Sequence, residues 1–149
     1  MNVISSKSGA SLIDSCIEEQ VDFILFAGDL FDSAFPPIET LKDTFHEFRK
    51  LHEAKIKCYV IAGSHDFSVS GKTFLDVIEK AGFCEICKYD ESEEEVLLKP
   101  IKHQNFMIYG YPGKKSGLEI PSLKKLKILE DYKDGFRILM LHTTIKNVI

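Results

Sequence analysis

The chain has 149 residues, of which 44% are hydrophobic and 28% charged, and its formal net charge is −4. This size and balance predict one globular domain over residues 1–149. The acidic balance argues against a domain that coats nucleic acid with basic side chains, but a nuclease remains compatible, because metal ions bring positive charge to an active site. No run reaches the roughly 18 apolar residues of a membrane helix, and the N-terminus lacks a signal-peptide pattern, so we expect no membrane association.

The first half of the chain alternates between helices and strands. Apolar residues recur there either at helical spacing or in short continuous runs, which are typical of strands that are buried on both faces. The predicted elements are a helix over 8–20, a strand over 21–27, a helix opened by Pro36 and Pro37, a strand over 57–62 and a helix over 72–81. This alternation predicts an α/β protein with a parallel sheet and right-handed crossovers.

The second half of the chain contains shorter patterns. The predicted elements are an acidic solvated turn at 91–95, strands at 96–101 and 105–110, a loop at 111–117, a polar helix at 121–133 and a buried strand at 136–141. Because the two short strands are separated by only a few residues, we expect them to form a hairpin that continues the sheet.

The four cysteines predict free thiols in a reducing compartment. Cys16 and Cys58 lie in apolar stretches and are predicted to be core thiols. Cys84 and Cys87 have the spacing of half a zinc site, but the sequence offers no second ligand pair, so a strand with two thiols is favoured. Cytoplasmic localisation fits this cysteine content best.

Polar side chains follow three of the predicted strands at the point where each strand ends. They are Asp29, the run Ser64-His65-Asp66, and His142. Since ligands bind at the carboxyl ends of parallel strands, we expect these groups to converge on one edge of the sheet. Taken singly, Asp29 could be a helix cap and His142 a structural histidine. The pair His65-Asp66 is more specific, because a neighbouring carboxylate can orient an imidazole ring.

A second interpretation of this region is a nucleotide-binding loop that closes at Gly71-Lys72-Thr73. That loop requires a glycine, four further residues and then Gly-Lys-Ser/Thr. The position of the first glycine is occupied by Asp66, a carboxylate where backbone amides should face a phosphate. We therefore interpret Lys72 and Thr73 as the start of the third helix.

Three stretches together resemble a known family. They are VDFILFAGDLFD at 21–32, VIAGSHD at 60–66 and ILMLHTT at 138–144. Their order and spacing resemble the calcineurin-like metallophosphoesterase superfamily, and within it the Mre11/SbcD branch of DNA-repair nucleases. The resemblance implies a layered αββα-type sandwich core, incomplete in this chain, with a mostly parallel first sheet and later hairpin strands.

The resemblance also implies a two-metal centre, usually with Mn²⁺, that clamps a phosphate and activates a bridging water. Asp29 matches the bridging carboxylate and His142 an imidazole ligand. Ser64 stands at a metal-binding position where the family has asparagine. His65 matches the residue that stabilises or protonates the leaving oxygen, and Asp66 would hold it in place.

The chain departs from the family pattern in three respects. Ser64 offers a shorter side chain than asparagine, and Asp32 stands where the branch often has histidine. The Asp-x-His motif that opens the family pattern and the Gly-His-x-His motif that closes it are both missing from the sequence. The simplest account is a chain truncated at both ends, whose metal ligand set is partial.

Three functions remain open at this point. The first is a DNA exonuclease or endonuclease, for which the resemblance implies a Rad50/SbcC-type ATPase as partner and allows a homodimer. The second is a non-catalytic subunit on the same fold in a DNA-processing complex. The third is an enzyme that hydrolyses phosphomonoesters or cyclic nucleotides, because the choice of DNA rests on family analogy and not on site chemistry.

Overall fold

A computed structural model describes residues 7–68, 72–129 and 135–144 of the chain, with side chains from residue 12 onward. The elements in chain order are α1 (Lys7–Glu18), β1 (Phe23–Ala27), α2 (Ile38–Glu53), β2 (Lys57–Ile61), α3 (Phe74–Lys80), β3 (Glu85–Ile86), β4 (Tyr89–Glu91), β5 (Val96–Leu98), β6 (Ile101–His103), β7 (Phe106–Tyr111), α4 (Ile120–Leu123), β8 (Leu126–Ile128) and β9 (Phe136–Leu141). The predicted α/β class is confirmed.

The first sheet has the order β1-β2-β3, and all its strands are parallel. This confirms the sheet predicted from the first half of the sequence. In its register Ala27, the last residue of β1, lies beside Ile61, the last residue of β2. The residues that follow these strands therefore leave the sheet side by side at its carboxyl edge.

The strand predicted at 136–141 is β9, whose hydrogen-bonded neighbour is β7, but the prediction that it is buried is wrong. Met140 is buried, whereas Phe136, Leu139 and Leu141 are exposed, because only one face of β9 packs against the first sheet. β7 and β9 run parallel in a second sheet of order β6-β7-β9, with Tyr111 beside Leu141 at their ends. β6 and β7 form an antiparallel hairpin. The carboxyl ends of β7 and β9 are thus level in the same way as those of β1 and β2.

The strands are stacked in layers because successive side chains point to opposite faces. On β2, Cys58 and Val60 pack with the first three helices, whereas Tyr59 and Ile61 pack against the second sheet. β7 is also covered on both faces, because Met107, Tyr109 and Tyr111 pack with a third sheet of order β4-β5-β8. The order of layers is therefore helices, first sheet, second sheet and a small third sheet.

The hairpin predicted between 96–101 and 105–110 is wrong in its first strand. Of the first predicted strand only β6, at Ile101–His103, forms a hairpin with β7, while Val96–Leu98 pairs with β4 and β8 in the third sheet. The hairpin also lies in the second sheet, whereas the sequence predicts that it continues the first. Lys99 and Pro100 separate the two short strands. Proline has no amide hydrogen to give to a strand ladder, so it ends one pairing and lets the chain enter another sheet.

The polar helix predicted at 121–133 is also wrong. The helix is one short turn at Ile120–Leu123, and the chain then forms β8, which pairs with β5 in parallel. Leu126 packs against the cluster that covers the outer face of β7. The backbone hydrogen bonds that this segment forms with the edge of β5 outweigh the helix propensity of the nearby lysines. Residues 130–133 of the predicted helix lie outside the described residues.

The acidic run predicted as a solvated turn is a turn only in its later part. Ser92 and Glu95 close it, with a backbone hydrogen bond of 2.8 Å between the Ser92 amide and the Glu95 carbonyl. Glu91 instead ends β4 and accepts hydrogen bonds from the Tyr111 hydroxyl at 2.9 Å and the Lys114 ammonium at 2.9 Å. The Glu91 carboxylate is therefore paired with the Lys114 ammonium in the loop after β7.

The third helix begins where the sequence predicts, and its first turn is closed by its own side chains. The amide of Thr73 donates to Asp76 Oδ2 at 2.8 Å, and Thr73 in turn caps the amide of Asp76 in a capping box. Thr73 therefore serves a helix terminus, as predicted. Gly71 lies outside the described residues.

The four cysteines are free thiols. Cys84 and Cys87 flank β3, which confirms the strand interpretation, and Cys58 is a core thiol as predicted. Cys16 is only partly buried, because Ile13 takes the inward face of α1. Burial raises the pKa of Cys58, Cys84 and Cys87 to about 12, so these thiols are neutral at physiological pH. None of the helices in the described ranges has the length and apolarity that crossing a bilayer requires.

Candidate active site

The structure brings the ends of β1 and β9 into contact at the carboxyl edge of the sheets. The Nδ1 atom of His142, directly after β9, lies 2.9 Å from the carbonyl oxygen of Ala27 at the end of β1. Its Nε2 atom lies 3.3 Å from Oδ2 of Asp29. The predicted convergence of these two strand ends is therefore present in the structure.

The chemistry of this contact calls for a positive charge between Asp29 and His142. A carbonyl oxygen can only accept, so Nδ1 of His142 carries a hydrogen and donates it to Ala27. In the neutral ring Nε2 then presents a lone pair to a carboxylate oxygen, which also carries lone pairs. Two such atoms at 3.3 Å need a proton or a metal ion between them. A backbone partner on the other ring nitrogen is the usual support of a metal-binding histidine.

Two glycines allow Asp29 to reach this position. Asp29 itself is in the left-handed region, with φ 51°, directly after Gly28 with φ 98°. A Cβ atom at Gly28 would collide with the ring of His142, and one at Gly63 would collide with the Asp29 carboxylate. Glycine is required at both positions because the three strand ends approach so closely.

The other oxygen of Asp29 connects it to the turn after β2. Oδ1 accepts a hydrogen bond of 3.1 Å from the backbone amide of His65. The side chain of His65 itself is exposed to solvent. Asp29, which follows β1, therefore lies between the ends of β2 and β9. Its Oδ1 atom is directed to the turn after β2, and its Oδ2 atom is directed to His142 after β9.

Asp66 is fully buried, with 0% of its surface exposed, and it binds main-chain amides. Oδ1 accepts from Gly63, and Oδ2 accepts from Leu30 at 2.9 Å. Burial raises the pKa of Asp66 above its usual value, although these hydrogen bonds oppose the shift. The resemblance implies that Asp66 holds His65 in place. Within the described residues, Asp66 accepts hydrogen bonds from backbone amides, including that of Gly63 in the turn, and not from the His65 ring.

Ser64 and His65 line a cavity of about 430 Å³ beside the Asp29–His142 contact. Asp32 contributes to the same wall. Across residues 7–68, 72–129 and 135–144, no three His, Cys, Asp or Glu side chains gather as a metal site would require. The residues present thus fit part of a metal centre, with one carboxylate and one imidazole as ligands.

Glu119 is a site residue that the sequence analysis missed. Only 5% of it is exposed, and its two oxygens accept hydrogen bonds from the Thr143 hydroxyl at 3.0 Å and the Lys114 amide at 3.1 Å. It therefore ties the loop after β7 to the segment that carries His142. No spacing rule could have found it, because one partner, Thr143, is 24 residues away and the other is the backbone amide of Lys114.

Comparisons with known proteins identify relatives of this arrangement. The sequence profile of the calcineurin-like phosphoesterase family matches residues 10–147. A DNA double-strand break repair protein Mre11 from Methanocaldococcus jannaschii is 31% identical over 140 residues, which make up 92% of this chain and 36% of that protein. The protein of the same name from Sulfurisphaera tokodaii is 31% identical over 147 residues, 94% of this chain and 35% of that protein.

A bacterial relative matches a shorter stretch. An uncharacterized metallophosphoesterase of Bacillus subtilis, YhaO, is 46% identical over 55 residues, which are 37% of this chain and 14% of that protein. The chain spans about a third of the length of the two Mre11 relatives.

Proposed function

The chain belongs to the calcineurin-like phosphoesterase family, and on that premise we propose that it is a metal-dependent phosphodiester hydrolase that cleaves DNA, as an exonuclease or endonuclease. The observation that carries the proposal is the 3.3 Å approach of Asp29 Oδ2 and His142 Nε2 at the sheet edge. The choice of DNA is supported by the similarity to two proteins named for DNA double-strand break repair.

We assign Asp29 and His142 as ligands of a divalent ion, with Mn²⁺ as the proposed metal and the Ser64 hydroxyl as a further ligand. Carboxylate and imidazole groups are both ordinary ligands of such ions. When bound, the ion supplies positive charge for the phosphate and lowers the pKa of a water molecule. The Ala27 carbonyl accepts the hydrogen of Nδ1 and thereby directs Nε2 of His142 toward the site.

His65 is the proposed group that assists departure of the leaving oxygen. Its ring is exposed beside the cavity, and its amide is fixed by Asp29. An imidazole suits this task because it can carry and release a proton near neutral pH. Asp66 is the proposed positioning residue, since it holds the turn of His65 against the loop that carries Asp29.

The proposal extends to partners and location on the strength of the resemblance. It includes a Rad50/SbcC-type ATPase, a homodimer as the assembly and a cytoplasmic location. These points rest on the family branch and on the cysteine content, and the geometry of the site does not bear on them.

Hydrolysis of bis-p-nitrophenyl phosphate with added Mn²⁺ tests the function. We expect Mn²⁺-dependent release of nitrophenol by the wild-type chain. Asp29→Asn should lower the rate by roughly a hundredfold or more, since even residues that support a metal ligand have effects of ten- to a hundredfold. Asp43→Asn is the matched control, because it makes the same change at an exposed site on α2.

Other outcomes of this assay would select another function. A non-catalytic subunit is the second candidate, favoured because the described residues provide only a partial ligand set. It predicts Mn²⁺-dependent DNA binding without hydrolysis. Hydrolysis of p-nitrophenyl phosphate in preference to the diester would instead indicate a phosphomonoesterase.

A further inference from the structure

A larger cavity, of about 850 Å³, opens beside the candidate active site. Residues that line it come from the segment after β1, the turn after β2 and the loop after β7, and they include Ser33, Ala34, Phe35, Phe67, Lys115 and Leu118. Ser33, Ala34 and Lys115 also line the smaller cavity that contains Ser64 and His65. The two cavities are therefore neighbours with a shared wall, and the larger has the size of a small-molecule site.

Phe35 presents an exposed aromatic ring to this cavity. It is 72% exposed, although its ring contacts Phe74 edge-on, with centroids 6.3 Å apart and planes at 81°. Leu118, on another part of the wall, is 65% exposed. Phe35 and Leu118 line the same cavity, and contiguous exposed apolar surface of this kind is a common feature of binding sites. In a T-shaped pair Phe74 can cover no more than one face of the Phe35 ring, so at least one face is free of this contact.

Lys115 is the cation of the wall that the two cavities share, and the Asp32 carboxylate lines the smaller cavity. Glu91 lines the larger cavity, but its carboxylate is paired with Lys114 at 2.9 Å. The Lys114 ammonium lies 5.4 Å from the centroid of the Tyr111 ring as well. Lys115 is exposed, and within the described ranges it forms no ion pair. A cation that has no ion-pair partner among the residues that the structure describes thus lies where the two cavities meet.

We propose that this cavity binds a nucleobase of single-stranded DNA next to the scissile phosphate, with Phe35 as the stacking surface and Lys115 as a contact to the adjoining phosphate. The inference rests on the proposed function, because the smaller cavity must hold the phosphate. Single-stranded DNA is required since a base within a duplex has both faces covered by its neighbours. Stacking on an aromatic ring accepts any base, so we expect little sequence preference.

The test measures binding and not cleavage, by fluorescence anisotropy in EDTA with a labelled oligothymidylate and an abasic oligonucleotide of the same length. Phe35→Ala should weaken binding of the oligothymidylate by about tenfold, within the range measured for loss of a stacking aromatic, and leave the abasic ligand unaffected. Phe35→Tyr should restore affinity. Phe136→Ala is the control, since Phe136 is 64% exposed at the start of β9, at the opposite edge of the sheet.

Lys115→Ala should weaken both ligands equally and reduce the dependence of affinity on salt, because a phosphate contact releases counterions whichever base is present. The control is Lys80→Ala, at the exposed end of α3. Unchanged melting temperatures would show that the exposed substitutions leave the fold intact.

Two results would overturn the proposal. One is that Phe35→Ala binds the oligothymidylate and the abasic oligonucleotide with the same affinities as the wild type does. The other is self-association that depends on Phe35 and leaves oligonucleotide affinity unchanged, which would assign the surface to a second copy of the chain. Failure of hydrolysis alone would count against the proposed function but not against base binding, because the binding assay contains no metal.

Discussion

At the scale of single residues, Asp29 and His142 carry the chemical argument because each is fixed by the main chain of another element. His142 is oriented by the Ala27 carbonyl, and Asp29 by the His65 amide. Neither position depends on a flexible side chain as partner. A metal centre needs ligands held to within about 0.5 Å, and hydrogen bonds to the backbone restrict the motion of such side chains.

Glu119 supports this arrangement indirectly, because it binds the hydroxyl of Thr143, the residue that follows His142. Protonation of Glu119 should therefore affect the stability of the fold. Burial pushes its pKa up, but hydrogen bonds from the backbone and from Thr143, together with nearby His142, outweigh burial and hold the pKa below its usual value. A lowered pKa means that the folded state favours the charged form. Its contribution is present above the ordinary pKa of glutamate and is lost as the pH falls through the lower folded-state value.

Glu119→Gln should thus destabilise the protein by about 1–2 kcal/mol near neutral pH, because one of two charged acceptors is lost. The deficit relative to wild type should shrink in acid. Urea unfolding at about pH 7 and about pH 3 measures both values. Glu39→Gln, at an exposed residue of α2, is the control. Equal deficits at the two pH values would contradict the assignment of the charge.

The sequence was sufficient to predict which residues converge but not what each one binds. Asp29 and His142 follow apolar strands, so their place at a sheet edge is encoded locally. The partners of Asp66 are backbone amides, including that of Gly63 in its own turn and that of Leu30, 36 residues earlier, and amides leave no mark in the sequence. Its predicted hold on the His65 ring was inferred from adjacency in sequence, which does not specify where a buried carboxylate points.

At the scale of elements, α3 tests the choice between a helix cap and a nucleotide-binding loop. The capping box of Thr73 and Asp76 satisfies amides that the first turn leaves without partners. Thr73→Ala should lower the free energy of unfolding by about 1 kcal/mol, and Thr73→Ser should restore it. Urea unfolding provides the measurement. Stabilisation by ATP and Mg²⁺ that disappears in Lys72→Ala would contradict this account and favour the loop.

The elements that sequence patterns predicted well are those buried on both faces. β1 and β2 are apolar runs whose two faces pack against other layers, so composition alone identified them. β9 is an equally apolar run, but only one of its faces contributes to the core, through Met140. β5 and β8 were missed because three-residue strands carry too little pattern to show their partners. Their pairing is decided by tertiary contact, which propensity does not encode.

At the scale of the whole molecule, the site exists because two sheets are packed with their carboxyl edges aligned. Tyr59 and Ile61 of the first sheet interlock with Ile108 and Met140 of the second in one buried cluster. This packing brings His142 to a carbonyl that is 115 residues earlier in the chain. The candidate metal centre is therefore a property of the assembled layers and not of any single motif.

The most direct test of the central claim is whether His142 coordinates a metal ion. Electron spin echo spectroscopy of Mn²⁺ bound to the chain detects the nitrogen of a coordinated imidazole. We predict that the wild type and the control His46→Ala, at an exposed residue of α2, show this nitrogen signal, and that His142→Ala loses it. A signal that persists in His142→Ala, or Mn²⁺ that stays unbound in the wild type, would contradict the account.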